Sequence, residues 1–146
     1  EKLFYNLNTT GAVLSPFDSY QLIRGLKTLS LRMERSTANA QEIVAFLEQS
    51  PAVKEVLYTG RGGMISFKVA DEKRIPHILN TLKVFSFAES LGGVESLITY
   101  PTTQTHADIP AEVRHSYGLT DDLLRLSIGI EDARDLIEDL RQALEG

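Results

Sequence analysis

Apolar residues recur at helical spacing through the first third of the chain, at alternate positions in its middle, and at helical spacing again at its end. Tyr20, Ile23, Leu26 and Leu31, followed by Ala40, Ile43, Val44 and Leu47, mark a long amphipathic helix. Its start is Ser15-Pro16-Phe17-Asp18. Serine can cap, proline suits the first helical position, and an aspartate three residues after the cap can close a capping box. Its end is Ser50-Pro51, since the residue before a proline is pushed out of the α region. The polar stretch Glu34–Gln41 within it is expected to be exposed or to bend the helix.

Val53–Tyr58 is rich in β-formers, and Met64–Val69 sets Ile65, Phe67 and Val69 against Met64, Ser66 and Lys68. The Gly60-Arg61-Gly62-Gly63 cluster between them predicts a hairpin. Glu72–Leu82 predicts a helix interrupted near Pro76. Val84–Phe87 predicts a short strand running into a turn at Ser90–Gly93. Further strands are expected at Glu95–Tyr100 and Leu123–Ile128. Gly129–Gly146 closes the chain as an amphipathic helix, with Ala133, Leu136, Ile137, Leu140 and Leu144 on one face. Glu131 and Asp132 near its start complement the helix dipole. Strands and helices in this order, without βαβ alternation, predict an α+β fold with helices packed on a largely antiparallel sheet.

At 146 residues and 42% hydrophobic content, one domain spanning residues 1–146 is the expectation. The net charge is −5 and the basic residues are scattered, which argues against nucleic acid or an anionic membrane as partner. There is no cysteine, which excludes disulfides, thiolate catalysis and cysteine metal sites, and is compatible with a cytoplasmic location. Apolar runs fall far short of the ~20 residues of a membrane span, and no secretory leader opens the sequence.

Three places could carry chemistry. In Leu123–Ile128 the residues Leu124, Leu126 and Ile128 share a face and Arg125 projects from the other. An isolated strand arginine is ordinarily solvated or ion-paired, because an unpaired buried charge is costly. Ser90-Leu91-Gly92-Gly93 combines a hydroxyl with two glycines, a turn in which backbone amides can approach a ligand. Thr105-His106 invites a histidine reading, but His77, His106 and His115 lack ligand spacing and no nucleophile motif accompanies them. The Gly60–Gly63 glycines match neither a phosphate loop nor a dinucleotide fingerprint.

The segments Phe87–Leu97 (FAESLGGVESL), Leu123–Asp132 (LLRLSIGIED), Pro101–Pro110 (PTTQTHADIP) and Gly11–Met33 together resemble the PLP enzymes of cysteine and methionine metabolism, the family of cystathionine γ-synthase, γ-lyase and β-lyase. The resemblance covers nearly the whole chain and implies the small C-terminal domain of a fold-type I PLP enzyme. It implies that Arg125 clamps the α-carboxylate of an amino-acid substrate, a role suited to its planar fork. Ser90 and the backbone at Leu91 would complete that grip, Glu89 would border the distal part of the substrate, and Thr105 would lie close to the substrate-binding loop. The short link at Gly60–Gly63 departs from the longer insertion of many members.

In the family PLP is held on a lysine in a segment preceding the part similar to Glu1–Gly11. The resemblance therefore implies an N-terminal, PLP-binding large domain beyond this chain, no cofactor-binding residue and no bound cofactor within it, and a cytoplasmic, homotetrameric parent. Glu89 and the run Glu95-Ser96-Leu97-Ile98 are most similar to the γ-synthases, which points to γ-replacement on an activated homoserine ester by cysteine. Elimination from cystathionine by a γ- or β-lyase is the alternative. An expectation of another class is a stand-alone, non-catalytic binding module, which should hide the face that would otherwise pack on a large domain.

Overall fold

The computed structural model describes residues 1–146, which divide into two units, Glu1–Leu31 and Arg32–Gly146. In the first, helix α1 (Lys2–Thr10) is followed by α2 (Pro16–Leu26). The Ser15 hydroxyl accepts the Asp18 N–H at 3.1 Å and donates to its carboxylate at 2.7 Å, so the predicted cap forms. Neither helix buries a residue. The apolar stripe of Tyr20, Ile23 and Leu26 exists as a stripe, yet all three side chains are exposed, as are Leu3, Phe4, Val13 and Phe17.

The single helix expected from Pro16 to Gln49 is two helices. It breaks after Leu26, next to Gly25, a poor helix former, where the Thr28 N–H bonds back to the Gly25 carbonyl, and resumes as α3 (Leu29–Gln49). The polar stretch Glu34–Gln41 stays helical and is exposed on one side only. Its other side buries Ser36, Asn39 and Ala40, and Asn39 meets the cost of burial by donating to two carbonyls, Gly129 at 3.2 Å and Glu131 at 2.9 Å.

Beyond α3 the second unit holds a sheet of order β1-β2-β5-β4-β3. The predicted hairpin is β1 (Val53–Leu57) and β2 (Met64–Val69), and β2 pairs antiparallel with β5 (Leu123–Ser127). β5 pairs antiparallel with β4 (Leu97–Thr99), and β4 pairs parallel with the two-residue β3 (Ser86–Phe87). The architecture is the expected α+β fold.

Pro76 does not interrupt its helix. A 3₁₀ turn at Glu72–Arg74 hands over to α4 (Ile75–Thr81) with the proline in the first turn, where its missing N–H costs nothing. A short helix, α5 (Ala111–Ser116), was not expected. The last helix, α6 (Ala133–Glu145), starts later than predicted, capped by Asp132, whose side chain accepts the Arg134 N–H at 2.9 Å. No helix is long and apolar enough to cross a membrane.

The pleat decides which residues meet the helices. Ile65, Leu126 and Ile98 form one cross-strand row and Phe67 and Leu124 another. They lie in one apolar core with Ala40, Ile43 and Leu47 of α3, Ile75 and Ile78 of α4, and Leu136, Leu140 and Leu144 of α6. The alternate residues, displaced by one position, occupy the opposite face of the sheet.

Candidate functional site

Arg125 lies on that opposite face. Its row reads Leu57, Ser66, Arg125, Thr99 across β1, β2, β5 and β4; the flanking rows are Met64, Ser127, Leu97 and Glu55, Lys68, Leu123. Arg125 is half-buried, with small hydroxyl residues on both sides. The nearest row holds a carboxylate, Glu55, but Lys68 takes it at 2.7 Å. That hydrogen bond raises the Lys68 pKa. The Arg125 guanidinium makes no ion pair with this chain. A half-buried arginine without a carboxylate of its own is suited to one that arrives with a ligand.

The serine-glycine turn is anchored to the same face. At its far end the Gly92 N–H donates to the Ser127 hydroxyl at 3.0 Å, and Gly92 has a φ of +74°, the left-handed conformation that favours glycine. At its near end Thr99, directly across the sheet from Arg125, donates its hydroxyl to the Ala88 carbonyl at 3.2 Å. Between these ends Glu89, Ser90 and Leu91 are exposed. The two hydroxyl tethers thus hold Ala88 and Gly92, which flank Glu89, Ser90 and Leu91, to the sheet face that carries Arg125. Thr105 sits in the exposed turn after β4, its hydroxyl 2.7 Å from Nδ1 of His106, with no bond to the Arg125 face.

A second set of bonds fixes the segment that follows. The Glu131 carboxylate accepts the Ser96 N–H at 2.7 Å and the Ser96 hydroxyl at 2.8 Å, while that hydroxyl accepts the Gly129 N–H at 2.9 Å. The Ile130 N–H completes the lacing by bonding to the Val94 carbonyl at 2.9 Å. A Cβ at Gly129 would lie 2.1 Å from that carbonyl, so only glycine lets the two segments cross. From α3, Arg35 at 3.2 Å and Asn39 bond to the Glu131 carbonyl. Glu131 was expected only to complement a helix dipole; it is instead the clasp between β4 and the exit of β5. Thr99, Ser127 and Asn39 carried no individual expectation; Asn39 alone gave a sequence signal, a polar residue four positions before Ile43 on the apolar side of its helix.

Lys2, Lys27, Lys73 and Lys83 are exposed, and Lys54 and Lys68 are engaged by Asp122 and Glu55. A guanidinium flanked by small hydroxyl residues is a donor set of the kind that suits a carboxylate.

The chain is similar to several known proteins along nearly its whole length. A Bacillus subtilis protein named cystathionine gamma-synthase/O-acetylhomoserine (thiol)-lyase is 58% identical over 144 residues, covering 99% of this chain and 39% of that protein. A cystathionine gamma-lyase of the same organism is 50% identical over 161 residues, covering 99% and 42%. The crystal structure of cystathione gamma lyase (CalE6) from Micromonospora echinospora superimposes with a TM-score of 0.93 at 37% identity, over 97% of this chain and 42% of that one. The chain spans about two fifths of the length of these relatives. With the model for Cys/Met metabolism PLP-dependent enzymes matching residues 1–145, the chain belongs to that family.

Proposed function

We propose that this chain is the C-terminal, substrate-binding part of a PLP-dependent transsulfuration enzyme. The observation that carries the reading is Arg125, a half-buried cation unpaired by its own chain, on the sheet face to which the Ser90 turn is tied. Arg125 grips the α-carboxylate through its planar fork, and the Ser90 hydroxyl and Leu91 backbone complete the hold. Fixing the carboxylate fixes which Cα bond is aligned for reaction, a positioning effect worth several kcal/mol. PLP, when bound, supplies the electron sink for carbanions formed on the substrate.

The cofactor and its lysine come from an N-terminal large domain on which this chain docks. The length of the relatives supports this, as does the surface of residues 1–31, where Leu3 and Phe4 are 86% and 74% exposed. A stand-alone module would be expected to bury such a surface. Incubated alone with PLP and reduced with borohydride, the chain should yield no pyridoxyl adduct confined to one lysine. Mass mapping of such an adduct would refute this placement. The parent enzyme is further proposed to be a homotetramer, which sedimentation of the full-length protein checks.

Within the family the favoured reaction is γ-replacement on an activated homoserine ester by cysteine, giving cystathionine. The greater similarity to the synthase relative supports it, as does alignment length, since the synthase fits within 144 residues while the lyase needs 161. Full-length enzyme supplied with O-acetylhomoserine and cysteine should make cystathionine faster than it cleaves cystathionine. The reverse order would favour the lyase name. Glu89, exposed beside Ser90, would steer the distal part of the substrate. Glu89→Ala should therefore lower the ratio of cystathionine to 2-oxobutanoate, with cofactor absorbance unchanged. A constant ratio, with both rates falling together, would leave Glu89 only a neighbour of the grip.

A further inference from the structure

We propose that Ser127 and, to a lesser degree, Thr99 are positioning residues that hold the Glu89–Leu91 segment in register with Arg125 and so set the strength of the carboxylate grip. This inference rests on the reading of Arg125 as the carboxylate clamp. Ser127 and Arg125 are two positions apart on β5, hence on one face and about 7 Å apart along the strand. Thr99 is the cross-strand partner of Arg125, at a pair separation of about 5 Å. Ser127 and Thr99 are both buried, at 4% and 2% exposure, and each hydroxyl makes a hydrogen bond to the same loop.

The two ends of that loop are not equally secured. The Ala88 end has a second bond, since the Ala88 N–H continues the parallel pairing to the Ile98 carbonyl at 3.2 Å. The Gly92 end is tied to the sheet by the Ser127 hydroxyl alone. Losing that hydroxyl frees the turn at the residue whose left-handed backbone shapes it. The bound conformation must then be ordered at each binding event, which weakens binding without touching the reacting atoms.

The test uses the full-length holoenzyme and two competitive inhibitors that differ only in the carboxylate, L-2-aminobutanoate and propylamine. Ser127→Ala should weaken the amino acid about tenfold, the worth of one net hydrogen bond, and the amine by less than about twofold. KM for the amino-acid substrate should rise by a similar factor with kcat nearly unchanged, the sign of lost uniform binding. Ser127→Thr, which keeps the hydroxyl, should recover most of the loss. Should Ser127→Ala fail to fold, Thr99→Val carries the test, with the same selectivity and a smaller factor. Equal weakening of both inhibitors, or of neither, overturns the proposal. Arg125→Lys run in parallel separates the layers. If it erases discrimination between the inhibitors while Ser127→Ala leaves it intact, only the positioning role falls; if it leaves discrimination intact, the carboxylate clamp itself falls.

Discussion

Replacing Arg125 with lysine in the full-length enzyme is expected to lower kcat/KM by about 2–3 kcal/mol, roughly 30- to 150-fold, while leaving the fold in place. Lysine keeps the positive charge but presents one rotating ammonium where arginine presents a planar fork, so the two-pronged alignment of a carboxylate is lost. The backbone should tolerate the change, because Arg125 lies off the apolar core and its side chain holds no carboxylate of this chain. Its neighbours on both sides are the small side chains of Ser66 and Thr99, which leave room for a shorter aliphatic stem. Steady-state kinetics together with far-UV circular dichroism check the two halves of the prediction. A variant with near-wild-type kcat/KM would remove Arg125 from the site.

Asp139→Ala should cost stability on a comparable or larger scale, about 3 kcal/mol, through an unrelated cause. Asp139 is buried on α6, and its carboxylate accepts three consecutive backbone N–H groups, from Lys83 at 2.8 Å, Val84 at 2.8 Å and Phe85 at 2.9 Å. Alanine would leave all three without an acceptor, and Phe85, itself buried, cannot recover a water in exchange. Asparagine retains one carbonyl oxygen and should lose about half as much. Because Phe85 leads directly into β3 and then into the Ser90 turn, the same change should also raise KM. Urea unfolding of the wild-type and variant proteins gives the free-energy difference from the midpoints. Equal midpoints would mean that the three N–H groups find other partners.

Asp139 and Arg125 also differ in how visible they are in the sequence. The outward direction of Arg125 follows from alternation with Leu124 and Leu126, a rule that involves only neighbouring residues. Asp139 lies in a helix whose charged positions all look alike, and what distinguishes it is a turn 54 to 56 residues earlier. Most of the expectations that hold are likewise local. The hairpin, β5, α6 and the Ser15 cap rest on side-chain period and capping within a few residues, and all appear in the fold. The expectation for Glu34–Gln41 holds on one side of the helix and missed the buried side because the partners of Asn39 lie 90 and 92 residues away.

By itself, then, the sequence determined most of the elements, the α+β class, the family resemblance and the side of β5 from which Arg125 projects, since each depends on local spacing or on motif identity. Only the tertiary structure decided that β5 runs between β2 and β4 and so puts Thr99 opposite Arg125. It alone revealed that Ser127 ties down Gly92, and that Glu131 clasps Ser96. These are hydrogen bonds between groups 33 or more residues apart, which no periodicity encodes because strand order must bring the partners together before either has a role.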